Sequence, residues 1–126
     1  MATEILLNDG GAPARILPFE ANADLTAGYP VSMDTNGKVG KNGAADSRPL
    51  GVALTTVSSG SIASIITGHG VMIKAFTSGS AIIAGDLLAT LADGNMDEST
   101  TAGNIVAIAL EAGDTGGALT KVLWLG

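Results

Sequence analysis

The chain has 126 residues, 46% of them apolar and 14% charged, with a net charge of −6, one histidine and no cysteine. That length holds one hydrophobic core, and the apolar fraction excludes an intrinsically disordered chain. Without cysteine there is neither a disulfide framework nor thiolate chemistry. The six cations, Arg15, Lys38, Lys41, Arg48, Lys74 and Lys121, are scattered, whereas nucleic acid demands a cluster of them.

Residues 1–14 read as an N-terminal arm ahead of a single β-domain over residues 15–126. The start of the chain has no basic stretch, and its apolar run, Ile5-Leu6-Leu7, is too short for a signal peptide or a membrane span. Gly10-Gly11-Ala12-Pro13 separates this run from the β-domain, since Gly-Gly is flexible and proline cannot join an interior ladder. Two readings of Ile5, Leu6 and Leu7 stand side by side. They form a first edge strand docked in their own sheet, or they make contacts between subunits. Neighbours in a strand alternate sides, so Leu6 would point opposite to Ile5 and Leu7, and both faces would need cover.

From residue 15 onward one short aliphatic segment succeeds another. Strands are expected at Arg15–Phe19, Pro30–Met33, Leu50–Val57, Ser61–Thr67, Val71–Phe76, Asp86–Leu91, Ile105–Glu111 and Ala118–Leu125. Each is rich in aliphatic or β-branched residues and bounded by Gly, Asn, Asp or Pro. Turns are marked by Asn36-Gly37, Asn42-Gly43, Gly68-His69-Gly70, Asp93-Gly94 and Gly116-Gly117. No helical period is present. Gly28, Gly37, Gly51, Gly85 and Gly94 are expected to serve backbone shape rather than chemistry, with positive φ at Gly37 and Gly94. The fold class is therefore all-β, a small barrel or sandwich.

The chain also repeats itself. Leu25-Thr26-Ala27-Gly28-Tyr29-Pro30-Val31 resembles Ile82-Ile83-Ala84-Gly85-Asp86-Leu87-Leu88, and Asn36-Gly37-Lys38-Val39 resembles Asp93-Gly94-Asn95-Met96, both at an offset of 57. Val52-Ala53-Leu54 recurs as Ile108-Ala109-Leu110, Gly60 as Gly117, and Ile65-Ile66 as Val122-Leu123. The order of features is the same in both halves, which predicts two similar β-motifs packed together.

Residues able to carry chemistry are scarce. His69 is the sole histidine, so a two-histidine metal site is excluded, and its place between Gly68 and Gly70 suits a turn better than a catalytic triad. Asp93-Gly94-Asn95-Met96-Asp97-Glu98 alternates oxygen ligands as the start of a calcium loop does, but lacks that loop's later glycine and closing glutamate; it reads as a solvated hairpin and loop. Gly68-x-Gly70 lacks the third glycine of a dinucleotide fingerprint. Catalytic, cofactor-binding and metal-binding residues are accordingly expected to be absent. The aromatics Phe19, Tyr29, Phe76 and Trp124 are too few for a sugar-binding platform. Positive mean hydropathy with few charges fits a well-filled β-core, or apolar surface buried against other subunits, and the small size of the chain favours the second.

Taken as an ordered series, Ala27-Gly28-Tyr29-Pro30-Val31, Asn36-Gly37-Lys38-Val39, Pro49-Leu50-Gly51-Val52-Ala53-Leu54, Ala84-Gly85-Asp86-Leu87-Leu88, Asp93-Gly94 and Ile108-Ala109-Leu110-Glu111-Ala112-Gly113 resembles a family of tailed-phage capsid cement (head decoration) proteins. Residues 24–124 carry the likeness, and the N-terminal segment Met1–Phe19 departs from it most. The resemblance implies a small β-barrel-like fold and a homotrimer on the outer face of an icosahedral phage head. The implied partner is the major capsid protein, with no nucleic acid, membrane, cofactor or catalysis. It also implies a virion protein made in the host cytoplasm. A host-surface or glycan-binding module displayed on a virion is the competing expectation. An exposed aromatic cluster around Tyr29 or Trp124 would favour that module, and burial of both would favour cement.

Overall fold

Alternation at period two organises the chain locally. In Val71-Met72-Ile73-Lys74-Ala75-Phe76 the odd positions are buried and the even ones half-buried, as a strand with one face on a core requires. The computed structural model describes residues 15–43, 49–78, 82–91, 94–99, 105–113 and 119–125. Among these it holds ten strands and no helix: β1 (Arg15–Glu20), β2 (Pro30–Met33), β3 (Val39–Lys41), β4 (Gly51–Ala53), β5 (Ile62–Thr67), β6 (Val71–Phe76), β7 (Leu87–Thr90), β8 (Met96–Glu98), β9 (Ala107–Ala109) and β10 (Leu119–Trp124). Ile5, Leu6, Leu7, Asp93 and the Gly116-Gly117 turn lie outside the described residues.

The strands form two five-stranded antiparallel sheets, ordered β1-β5-β4-β2-β3 and β6-β10-β9-β7-β8. Substituting β6 for β1, β7 for β2 and so on turns one order into the other, so the duplication legible in the sequence is a duplication of topology. Small features repeat with it. The Gly28 N–H donates to Ala53 O at 2.8 Å, and Gly85 to Ala109 O at 2.8 Å. Asp34 N–H reaches Lys38 O at 2.8 Å, and Leu91 reaches Asn95 O at 2.7 Å. Gly37 and Gly94 hold φ of 77° and 90° in these matching turns.

Each sheet curls until the residue just past its first strand meets its last strand, through one parallel bridge, Ala21–Val39 in the first half and Thr77–Met96 in the second. A single bridge is not a ladder, and neither sheet closes. The expectation of a barrel or sandwich is thus resolved in favour of two open sheets in a sandwich, because barrel closure needs paired edges at a consistent tilt and stagger.

Two strands were not expected from the sequence, β3 and β8. Each has three residues, ends on charged side chains and buries one large apolar residue, Val39 or Met96. Residues 96–98, expected to be loop, are the edge of the second sheet.

The core has two parts. Leu25, Val31, Val39, Ala53 and Ile65 fill the first half. Val52 and Ile66, on the other face of the first sheet, join Ile73, Leu88, Val122 and Trp124 in a cluster that ties the halves together. Where the first half buries Ala21 and Ala63, the second buries Thr77 and Thr120, whose hydroxyls hydrogen-bond each other at 2.8 Å.

Candidate functional site

Among the described residues no three His, Asp or Glu side chains come together as metal ligands. His69 Nδ1 lies 2.6 Å from Leu125 O, so its ring ties the link between the sheets to the end of β10. Gly68 and Gly70 flank it with φ of 126° and 77°.

Charged groups serve local structure. The Asp34 carboxylate accepts from Asn22 Nδ2 at 2.9 Å and from the N–H groups of Asn36 and Lys38 at 2.8 and 3.0 Å. These bonds, the one from Asn22 foremost, hold its pKa below the usual carboxylate value. The Lys38 ammonium stands 3.0 Å from Glu20, which raises its pKa. Glu111 Oε1 accepts from Lys121 N–H at 2.8 Å and braces the start of β10.

Two open depressions lie among the described residues. One is lined by Gly85, Asp86, Leu87, Glu98 and Ser99, another by residues that include Asn22, Asp24, Asp34 and Lys41.

The five glycines singled out in the sequence sit at geometric constraints. Gly28 and Gly85 open the strands β2 and β7 with φ of 101° and 94°. Gly51 has no positive φ; its constraint is a close approach, since a Cβ there would run into Ile66 O on the neighbouring strand.

The aromatics do not form a platform. Trp124 is fully buried, and its Nε1 has no hydrogen-bond partner among the described residues. Tyr29 is half-buried and stacks on Phe76 with ring centroids 4.2 Å apart and planes 21° from parallel. Lys41 Nζ sits 4.7 Å from the Tyr29 ring centroid. Sequence reasoning named these residues but could not pair Tyr29 of one half with Phe76 of the other. It also missed the apolar side chains left on the surface, Ile16, Leu17, Ile62, Ile83 and Leu87.

A family model described as phage cement protein matches residues 12–124. The chain belongs to the phage cement protein family. It is therefore a structural protein of the phage head. No curated protein matches it in sequence. Among solved structures it is similar to the N base of the head fiber gp8.5 of bacteriophage phi29, at 17% identity and a TM-score of 0.71, with 88% of this chain and 93% of that one covered. At such identity the likeness is one of fold.

Proposed function

We propose that the chain is a capsid cement protein that seats as a homotrimer on the outer face of an assembled phage head, between major capsid protein subunits, and stabilises the shell without catalysis. The family match over residues 12–124 carries this reading. The fold likeness to the base of a head fiber supports it, since a fiber base is also mounted on a head. Full burial of Trp124 counts against the alternative, a glycan-binding module, which would display its aromatics, whereas Tyr29 is only half-buried against Phe76 and does not decide between them.

A protein that binds the assembled shell and not the free subunits stabilises the shell by mass action. Many copies per shell make modest contacts effective. The arm, Ile5, Leu6 and Leu7 above all, reaches past its own sheet to a neighbouring subunit or the capsid. Burial of each side chain gives roughly 1.5–3 kcal/mol, offset by about 1–2 kcal/mol per ordered residue, so the net gain per copy is small.

The test compares particles carrying the chain with particles stripped of it. Imaging should place density on the outer face between capsomers, and stripped particles should open at lower temperature. Equal thermal release of genome from both would refute the cement role. Deleting residues 2–9 should leave the trimer folded while weakening its retention on heated or diluted particles.

A further inference from the structure

The two halves share a topology but not an environment. Within the chain, the edge of the second sheet covers the strand opening at Gly28. The Phe76 N–H donates to Gly28 O at 3.0 Å. A Cβ at Gly28 would stand 2.5 Å from Leu119 Cδ2 and 3.3 Å from the Phe76 ring. Beside it Pro30 is buried, and Val52 and Ile66 pack in one cluster with Val71 and Ile73 of the covering strand.

The counterparts of the covered residues in the second half are Gly85, Leu87, Ile108 and Leu123. Among the described residues no atom lies within 4 Å of a Cβ built on Gly85, Leu87 is 45% exposed, and Ile108 and Leu123 are only half-buried. This is the depression lined by Gly85, Asp86, Leu87, Glu98 and Ser99. The counterpart of the covering edge is uncovered too. Where β6 is buried along alternate positions, β1 is exposed from Arg15 to Pro18, with Ile16 at 46% and Leu17 at 40%. Ile62, the counterpart of Leu119, is 62% exposed. One chain thus carries one filled socket, one open socket, and one unused copy of the element that fills it.

We propose that β1 and Ile62 of one copy cover the Gly85–Leu87 face of a second copy, repeating between chains the contact made within each. The inference rests on the homotrimer reading and gives it an interface. A contact of this kind is heterologous, and three chains close it into a ring of six like contacts, three within chains and three between them. Ile62 takes over Gly85 the place Leu119 holds over Gly28. Ala21 N–H bonds Ser61 O at 2.9 Å, so in the alternating ladder the next pair, Glu20–Ile62, turns its backbone groups outward. The Glu20 N–H then donates to Gly85 O as Phe76 does to Gly28 O. The aromatic stack is not repeated: Glu20 replaces Phe76, Asp86 replaces Tyr29 and Glu98 replaces Lys41. Lys38, 3.0 Å from Glu20, brings positive charge to these carboxylates.

Light scattering on the full chain, wild type against Ile62→Asp and Leu87→Asp, reads this directly. Both residues are exposed in the single chain, so each variant should keep its strand-type circular dichroism and fall to one-third of the wild-type mass. The absence of native cysteine allows a second readout. An oxidised mixture of Ile62→Cys and Gly85→Cys single variants should yield covalent dimers joining the two variants, and the chain carrying both should yield covalent trimers. A trimer that survives both aspartates and forms no 62–85 link overturns this interface and leaves the homotrimer standing. A wild-type chain that is monomeric in solution and unlinked on particles overturns both. Loss of capsid retention with the trimer intact assigns the face to the capsid and overturns the inference as well.

Discussion

Replacing Gly51 with alanine adds one methyl group where β4 and β5 run closest. That Cβ would collide with Ile66 O and stand 2.9 Å from Ile65 Cγ2 and 3.1 Å from the Ile66 carbonyl carbon. Ile66 pairs with Val52 in the ladder, so its backbone cannot withdraw without loosening the sheet that joins the two parts of the core. Overfilling a packed interior costs about 1–3 kcal/mol. Alanine also restricts the unfolded chain, which returns about 0.4–1 kcal/mol. The net expectation is a loss of about 0–2.6 kcal/mol. Gly43→Ala is the internal comparison. Its Cβ meets nothing nearer than Lys41 O at 4.0 Å and its φ is not positive, so only the unfolded-state effect remains and stability should rise by about 0.4–1 kcal/mol. Urea unfolding followed by the fluorescence of Trp124, the sole tryptophan and fully buried, measures both variants. Protomer concentration is held constant, because assembly couples to stability. Equal shifts for the two variants would refute the close approach.

Gly37→Ala meets no atom within 4 Å but inherits a φ of 77°, so it should cost about 1 kcal/mol through backbone strain alone, visible as a lower Tm. Thr77→Val strands the buried Thr120 hydroxyl and should cost about 1–3 kcal/mol in chemical unfolding, whereas the Thr77→Val/Thr120→Val pair should recover most of it, as the alanines at the matching positions of the first half suggest. Asp34 is held below its ordinary pKa by its three hydrogen bonds, so the stability it contributes is present above the ordinary carboxylate range and lost as pH falls through the lowered value. Asp34→Asn should therefore flatten the acid limb of Tm against pH; an unchanged limb would show that the 34–38 turn does not depend on the carboxylate.

Eight of the ten strands among the described residues were legible because their aliphatic and β-branched runs exceed what a loop would carry. β3 and β8 were not: Val39-Gly40-Lys41 and Met96-Asp97-Glu98 hold one large apolar residue each, and pairing with β2 and β7 supplies the rest. The repeat was legible from Ala-Gly and Asn/Asp-Gly spacing. What the repeat does was not, because Gly28 and Gly85 look alike in sequence and differ only in what covers them. The choice between barrel and sandwich was left open for the same reason. Whether the bridge at Ala21–Val39 extends into a ladder is decided by tertiary curvature, not by any local signal.

The link Gly68-His69-Gly70 has a consequence for synthesis on the ribosome. Among the described residues no strand ladder crosses it, so every ladder partner of residues 15–67 has been made before residue 71 appears. At about 5–20 residues per second, residues 71–125 take roughly 3–11 seconds to emerge. During that interval the first half can curl into its own sheet, with Val52 and Ile66 still awaiting β6. On a polysome translating many copies, β6 of a neighbouring nascent chain fits the same face, and the product is a domain-swapped chain with the right contacts made to the wrong molecule. The brevity of the link is the safeguard. Three residues keep the proper β6 within a few ångströms of its seat, an effective concentration that a neighbour on the next ribosome does not match. Lengthening this link with flexible residues should therefore leave the fold intact and raise the yield of swapped assemblies.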